Sequence, residues 1–339
     1  MPRSAVPNGK VNKTMPRVAL IPAEFRFSDL STRTFSLGIT ALGTVWLSGC
    51  TAGRLDVASG RTVVEGDLVA QARIALEKSR MVLDAGGLGF GDIVTMTQYL
   101  TPAALADLPK LLALYGEVFS GALPILNTIV VKSLLRGKAL IEIESVAGHG
   151  TGGDLEYLPA VSGANVTEMH ARSTEMLRAR GLGEGDVVRM TEMLTAQAFA
   201  DASGAADVVQ CGLHVVMPRV LDADAGAQRL MTASRSAQKR VLFLAAEGDP
   251  AAGGVEEQCR EIYARIGKML KTESLGLDSV VKTTEFVTPE GLAAYRKTAD
   301  VRRDVFVAPY PAATGVVCER LVHPEAQIAV EVIAVRDAA

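Results

Sequence analysis

Cys50 is the residue whose type and setting most directly suggest chemistry. It lies in the stretch LGTVWLSGCTA at Leu42–Ala52. A thiol becomes a nucleophile when a neighbouring base lowers its pKa. A Cys that follows small residues can also be the lipid-bearing first residue of an exported chain. No histidine stands at a telling distance from Cys50, and the stretch lies late for a signal peptide. The residues therefore favour a structural or pocket-lining thiol in a folded domain.

The remaining candidate motifs argue against a metal or nucleotide cofactor. The run Gly87–Gly91 resembles a phosphate loop but lacks the lysine, and it recurs later in the chain where a helix stops. The histidines form neither H-x-x-x-H nor H-E-x-x-H. The four of them are His149, His170, His214 and His323. We therefore expect no cofactor and no metal site.

Composition narrows the class of partner. A net charge of −3 over 339 residues disfavours nucleic acid and acidic membranes as partners. No run of 18 apolar residues predicts a membrane span. The four cysteines are widely spaced, which suits reduced thiols in the cytoplasm. The length predicts two or three domains. The expected partner is a small-molecule substrate.

The elements that must position any site are repeated along the chain. Gly87–Thr101, Gly181–Thr195 and Ser274–Thr288 share a glycine-punctuated turn followed by alternating apolar and polar residues. Their starting positions are 94 and 93 residues apart. This alternation predicts a strand in each of three units.

Each of these strands follows a predicted helix. In the third unit Val255, Cys259, Ile262, Ile266 and Met269 keep a spacing of three or four, which predicts one apolar stripe against a sheet. Each unit then closes with an apolar strand pair. The predicted fold is α+β, with helices on one face of mixed sheets.

The units differ in length. Residues 1–16 predict a disordered tail, followed by a full unit at 17–149 and a short middle unit at 154–229. The third unit is expected at 230–339. Because the middle unit is so short, its last strand, Gln228–Ala233, is expected to double as the first strand of the third.

These units resemble the Rid/YjgF family of small imine and enamine deaminases. The resemblance rests on the opening Phe35–Cys50, the strand Asp92–Thr101 and the ending Ala139–Ala147, with Val280–Val287 and Val330–Asp337 repeating it in the third unit. It covers most of the chain as three tandem copies, of which the middle one is degenerate.

The resemblance implies a particular assembly. Family members form trimers with clefts between neighbouring subunits. Three copies in one chain imply RidA-like (chorismate-mutase-like) units packed as an intramolecular pseudo-trimer. We therefore expect a monomer or a homodimer of such bodies and not a homotrimer of chains.

The chain departs from the family at the arginine that grips a substrate carboxylate. Aligned on the preceding proline, that position holds Leu126 in the first unit and Ala313 in the third, while the middle unit offers Gly212. Aligned from the closing strand, it holds Ile129 and Val316. Either alignment removes the planar donor fork that binds a carboxylate.

The glutamate that orients water in the family is expected to survive. The resemblance assigns it to Glu144 in the first unit and Glu331 in the third, while the middle unit has Leu230. A carboxylate at the end of an apolar strand can hold a water or act as a general base, because burial raises its pKa. Glu144 and Glu331 are therefore the predicted catalytic residues.

The rest of the predicted site is less polar than a family cleft. The family tyrosine maps to Phe35, and its glutamine after Ser-Gly maps to Cys50 and Glu247. This mixture favours a small, largely uncharged ligand. The other predicted substrate-binding residues are Ser48, Leu126, Asn127, Thr128 and Thr314.

Three functions stay open at this stage. The leading hypothesis is an enzyme that performs hydrolysis, deamination or a proton-transfer rearrangement with a glutamate base. The loss of the arginine favours a non-catalytic binding or pathway-accessory protein instead. A cyclic amide hydrolase similar to the cyanuric acid hydrolase and barbiturase group is a further alternative, although its repeated Ser–Lys pairs are not found here.

Overall fold

The computed structural model describes residues 17–56, 58–120, 122–148, 155–195, 197–198, 213–216, 226–236 and 240–336. The predicted tail, Gly212 and His149 lie outside these residues. Within them the chain forms three large sheets and one small hairpin, together with helices. The α+β prediction is confirmed.

The first sheet carries the first unit. Its strand order is β1-β2-β3-β10-β7-β8, with β4 also paired to β10. Helices α1 (Leu68–Ala85) and α2 (Leu108–Val118) belong to this unit, and β5 and β6 form the separate hairpin. The strands are β1 Val18–Ala19, β2 Gly38–Ala41, β3 Thr44–Leu47, β4 Cys50–Thr51, β5 Arg54–Asp56, β6 Arg61–Val63, β7 Ile93–Leu100, β8 Ile125–Val130, β9 Ser133–Leu134 and β10 Ile141–Ala147.

The second sheet carries the middle unit, with helix α3 at Val166–Ala179. The expectation that Gln228–Ala233 doubles as a strand of the third unit is wrong. Among the described strands, the one that contains it pairs with members of the second sheet only, and the expected boundary at residue 230 falls inside it. The strands are β11 Leu155–Tyr157, β12 Val161–Gly163, β13 Val187–Leu194, β14 Leu213–Val216 and β15 Ala227–Ser234.

The third sheet has the order β16-β20-β17-β18-β9 and therefore includes β9 from the first unit. Its helices are α4 (Val255–Thr272), α5 (Pro289–Leu292) and α6 (Thr298–Val305). The strands of this unit are β16 Val241–Glu247, β17 Val280–Val287, β18 Ala312–Val317, β19 Arg320–Leu321 and β20 Ile328–Val335.

Amphipathic spacing fixes the helices on the sheets. On α4 the buried stripe is Val255, Cys259, Ile262, Ile266 and Leu270. The expected last member, Met269, is 37% exposed, and its neighbour Leu270 is fully buried. The stripe therefore ends with a spacing of four, which keeps it in line on a helix of 3.6 residues per turn.

Edge strands and side chains join the sheets in a cycle. Strand β9 of the first unit pairs with β18 of the third, and β19 of the third pairs with β14 of the second. Between the first and second sheets, the Ala160 N–H donates to Asn127 Oδ1 at 3.0 Å and Gln228 Nε2 donates to the Thr128 carbonyl at 3.2 Å. Each sheet therefore contacts the other two.

The sheet faces opposite the helices meet in one apolar cluster. Tyr99, Met193 and Phe286 occupy the same position on the equivalent strands β7, β13 and β17, and all three are at most 1% exposed. They belong to a single buried cluster that also includes Leu230 and Val316. The apolar area of both sheet faces is thus removed from water within one chain.

Candidate functional site

Strand register identifies equivalent positions in the three units. The residue paired with Tyr99, Met193 or Phe286 is Glu142 in the first unit, Gln228 in the second and Ala329 in the third. Two residues further along the strands lie Glu144, Leu230 and Glu331. A carboxyl group is thus present at the first position in one unit and at the second position in two.

Glu144 lies in an ion pair between the third and first sheets. Its Oε2 is 2.9 Å from Lys282 Nζ and accepts a hydrogen bond of 2.6 Å from Thr314 Oγ1. Tyr99 donates to its other oxygen at 3.0 Å. Burial would raise the pKa of Glu144, but Lys282 and these hydrogen bonds outweigh burial and lower it. Both oxygens of this carboxylate are thus already engaged.

Glu331 forms the corresponding pair between the second and third sheets. Arg189 Nη2 is 2.6 Å from Glu331 Oε2, and the Thr191 hydroxyl donates to Oε1. Arg189 and Lys282 occupy equivalent strand positions, which Thr95 fills in the first unit. At the remaining interface, between the first and second units, Thr95 and Leu230 take the places of the cation and the carboxylate. The catalytic role expected of Glu144 and Glu331 stays a prediction.

Glu142 is the carboxyl group that lacks such a cation. It is 6% exposed, and the structure describes no ion pair within 4 Å of it. Burial raises its pKa to about 8, helped by the negative charge of Glu144, while Lys282, Arg136 and the Gly315 N–H oppose the rise. Two neighbouring carboxyl groups thus have their pKa values pushed apart, as in an acid–base pair.

The backbone of Gly49 makes room for this carboxyl group. A Cβ atom at Gly49 would lie 2.0 Å from Glu142 Oε1 and 2.9 Å from Thr314 Cγ2. No side chain fits there unless Glu142 moves.

We therefore expect Gly49→Ala to lower the free energy of unfolding by about 1–3 kcal/mol through overpacking. Gly116→Ala is the matched control, because a Cβ in that helix would meet no atom within 4 Å. The control should be neutral or stabilising by up to about 1 kcal/mol. Urea titration of both variants measures the difference, and equal effects at the two sites would contradict the described packing.

Ser48 joins the first unit to the third. Its hydroxyl donates to the Ser36 carbonyl at 2.6 Å and accepts from the Ala313 N–H at 2.7 Å. The Gly49 N–H donates to the Ala313 carbonyl at 3.0 Å. This contact between the first and third units, named here the first cleft, is therefore formed by Ser48–Gly49 and Glu142 of the first unit and by Ala313–Gly315 of the third.

Cys50 and Phe35 lie beside the first cleft. The Cys50 thiol is buried, and burial raises its pKa, so it is a poor nucleophile. It packs in the helix-side core of the first unit. The half-buried Phe35 ring lies 4.7 Å from the guanidinium carbon of Arg33.

The other predicted binding residues lie at different interfaces. Asn127 and Thr128 form the hydrogen bonds that join the first and second sheets, whereas Leu126 packs into the core of the first unit. Glu247 lies on the third unit, where its carboxylate accepts from the Val322 and His323 N–H groups at 3.3 and 2.5 Å. Of the predicted set, Phe35, Ser48, Cys50, Thr314 and Glu144 lie at or near the first cleft.

Three cations surround Glu142 and Cys50. Lys78 Nζ donates to the Thr51 carbonyl at 2.7 Å and to the Gly53 carbonyl, and burial lowers its pKa to about 8. Arg33 and Arg136 both lie close enough to Lys78 to depress that pKa further. Lys78, Arg33 and Arg136 therefore form a cluster of cations beside the strands that carry Cys50 and Glu142.

A cavity of about 650 Å³ lies where the sheets meet. It is lined by both inter-sheet ion pairs, Glu144 with Lys282 and Arg189 with Glu331, and also by Asn127. In the described ranges no three metal-binding side chains come together, and no helix there is long and apolar enough to cross a membrane.

Sequence reasoning missed Glu142, Arg136 and the two inter-sheet cations Arg189 and Lys282. A signal for Glu142 was present, because it stands two residues before Glu144 on one strand and so shares its face. The cations carry no such signal, since their partners come from other units.

Known proteins match this chain in its first and third units. The family model described as Endoribonuclease L-PSP matches residues 28–149 and 243–336, which together exceed half of the chain. Protein DfrA of Myxococcus xanthus is 36% identical over 104 residues, which span 28% of this chain and 77% of that protein. The 2-iminobutanoate/2-iminopropanoate deaminase of Mus musculus is 32% identical over 116 residues, which span 34% of this chain and 82% of that protein.

Among solved structures, YyfA of the conserved Rid protein family from Yersinia pestis is 25% identical. The match covers 40% of this chain and all of that one, with a TM-score of 0.34. The two segments that the family model matches, 28–149 and 243–336, contain most strands of the first and third sheets. The chain is thus a member of the Endoribonuclease L-PSP family, the Rid/YjgF family of proteins, and carries its pattern twice.

Proposed function

We propose that the chain is an enzyme that adds water to, or moves protons on, a small metabolite in the first cleft. The observation that supports this most is Glu142. Among the equivalent positions Glu142, Gln228 and Ala329, it alone has a carboxyl group, and that group is buried without a cation in contact. Buried carboxyl groups with perturbed pKa values mark functional sites.

The proposed chemistry is hydrolysis of a C=N bond. A carboxyl group whose pKa is about 8 is mostly protonated at neutral pH. Glu142 would donate its proton to the imine nitrogen while water attacks the carbon, then accept the proton that the water releases. The hydroxyl proton of the resulting carbinolamine then passes to its nitrogen as the C–N bond breaks, which releases ammonia and leaves a carbonyl product. The similarity to the mouse imine deaminase supports this reaction class.

Glu144 and Glu331 each form an ion pair between two sheets, which is a structural role. We assign them to holding the sheets together and assign the chemistry to Glu142. The sequence-based expectation of a largely uncharged ligand rested on Leu126 and Ala313. We propose an anionic ligand instead, because Arg33, Lys78 and Arg136 lie close together, and Lys78 and Arg136 both interact with Glu142.

The test is ammonia release from 2-iminobutanoate and 2-iminopropanoate, generated in the assay, against the uncatalysed rate. We expect the wild-type chain to accelerate release. Absence of acceleration for both compounds, together with binding of the 2-oxo acids without turnover, would instead favour the non-catalytic binding function, which the missing family arginine also supports.

The proposal also covers the cellular location and the oligomeric state of the protein. Cys50, Cys259 and Cys318 are free and buried thiols, which agrees with a reducing cytoplasm. The cyclic contacts of the three sheets support a monomer, or a homodimer, in place of a trimer of chains. Light scattering tests this, and three chains per particle would contradict it.

A further inference from the structure

Two equivalent turns follow the exchanged edge strands. One follows β9 in the first unit and the other follows β19 in the third. Each closes with the same backbone hydrogen bond, from Ala139 N–H to the Arg136 carbonyl at 2.8 Å and from Ala326 N–H to the His323 carbonyl at 3.1 Å. The turns therefore present their preceding N–H groups in the same way.

In the third unit this turn binds a carboxylate. The Val322 and His323 N–H groups donate to the two oxygens of Glu247, at 3.3 and 2.5 Å. Successive backbone N–H groups that point to one side form a concave anion site. The chain thus contains its own example of what this turn binds.

In the first unit the corresponding occupant is missing from the sequence. Glu247 pairs with Ala329 in the register in which Thr51 pairs with Glu142. Strand pairing thus places Thr51 where Glu247 stands, and not Cys50, which the sequence match had aligned with Glu247. The Thr51 hydroxyl is too short to reach the turn as a glutamate does, and it accepts from the Gly53 N–H at 3.3 Å. Among the described residues, the Leu135 and Arg136 N–H groups have no acceptor.

Charge favours an anion at the same place. The Arg136 side chain packs over Gly53, where a Cβ would lie 2.8 Å from Arg136 Nε. No carboxylate of the described chain forms an ion pair with Arg136. Lys78 and Arg33 lie close to it, and Glu142 is an acidic group that interacts with both Lys78 and Arg136. A guanidinium with free donors beside two free N–H groups suits a carboxylate or a phosphate.

We propose that the Leu135 and Arg136 N–H groups and the Arg136 guanidinium bind the anionic group, a carboxylate or a phosphate, of the ligand of the first cleft. The anion takes the place that the Glu247 carboxylate fills in the third unit. Only the position of the ligand's remaining atoms over Glu142 rests on the proposed function. Anion binding itself requires no turnover.

The experiment titrates the protein with acetate and, separately, with inorganic phosphate while the amide resonances of Leu135 and Arg136 are followed by NMR. We expect these two amides to shift with at least one of the anions, and the stronger binder identifies the preferred chemistry. In Thr51→Glu the new carboxylate should occupy the turn and abolish the response. Thr51→Gln has the same shape without the charge and should keep it.

A second variant covers the case in which Thr51→Glu does not fold. Arg136→Gln should raise the dissociation constant about tenfold or more through loss of a charge-assisted contact. Arg80→Gln, on the exposed face of α1, should leave it unchanged.

Three outcomes would overturn the proposal: no response of the two amides to either anion, an unchanged response in Thr51→Glu, or an unchanged dissociation constant in Arg136→Gln. Loss of turnover in Glu142→Gln with intact anion binding would support both proposals. Anion binding by a wild-type chain without turnover would contradict the proposed reaction alone.

Discussion

Glu142→Gln should reduce turnover of an imine substrate by about 10²–10⁴-fold, which is the usual contribution of a positioned acid–base group. The amide has nearly the same shape and fits against Gly49, but it neither donates a proton to the imine nitrogen nor accepts one from water. The measurement is the rate of ammonia release by the variant and by the wild-type chain. In the wild type, kcat/KM should fall as pH rises through about 8, because Glu142 must start protonated.

Gln228→Glu is the matched control for this prediction. It places a carboxyl group at the equivalent position of the second unit, where the cations of the first cleft are absent. We expect it neither to raise turnover nor to rescue Glu142→Gln. Wild-type turnover in Glu142→Gln would show that the chemistry lies elsewhere, with Glu144 and Glu331 as the next residues to test.

Glu142→Gln should also change the pH dependence of the free energy of unfolding. The pKa of Glu142 is raised from 4.5 to about 8, chiefly by burial. A raised carboxyl pKa means that the stabilising contribution is present below pH 4.5 and is lost as pH rises to about 8. Glu142→Gln removes this loss, so the variant should gain stability relative to the wild type between pH 5 and pH 9. A carboxyl group that is kept for function costs stability, so its removal should stabilise the chain, whereas removal of a structural carboxyl group should destabilise it.

Lys282→Met should lower the free energy of unfolding by about 3–5 kcal/mol, because it leaves the Glu144 carboxylate buried without its cation. Lys282 is 5% exposed, and its ammonium also donates to the Leu47 carbonyl at 2.8 Å and to Thr314 Oγ1 at 2.5 Å. The effect is measured by urea denaturation at pH 7.

Two controls accompany this variant. Lys132→Met removes another ion pair between the first and third units, Lys132 with Glu319 at 2.8 Å, but its partners are 47% and 37% exposed. It should cost at most about 1 kcal/mol. The double variant Lys282→Met/Glu144→Leu removes both buried charges and should recover most of the loss, since Thr95 and Leu230 already do without them at the equivalent interface. Equal destabilisation by Lys282→Met and Lys132→Met would contradict the buried ion pair.

Local sequence patterns predicted the elements of each unit well. The helix Val255–Thr272 and the strand Val280–Val287 follow from periodicity, because each sheet buries one face under a helix. The segment Gln228–Ala233 was correctly predicted as a strand, but it was also assigned to the third unit, which is wrong. Its pattern shows that it is a strand, but pairing partners are chosen by tertiary packing, which the pattern does not contain.

The candidate site was harder to predict than the fold. Alignment to a family motif placed the carboxyl role on Glu144, whereas Lys282 from another unit neutralises that residue. The cations around Glu142 come from a loop, a helix and a turn that are distant in sequence. Arg33, Lys78 and Arg136 all belong to the first unit, but they converge only when that unit folds, so no spacing in the sequence reveals them.

Of the three equivalent inter-unit positions in each chain, we expect the first cleft alone to bind substrate and perform the reaction. The most direct measurement is a crystal structure of the protein soaked with 2-oxobutanoate, the product of hydrolysing 2-iminobutanoate. We expect one ligand per chain, with its carboxylate on the Leu135 and Arg136 N–H groups and its carbonyl oxygen within hydrogen-bond distance of Glu142. A ligand bound in the equivalent clefts beside Gln228 or Ala329, with the first cleft vacant, would contradict the account.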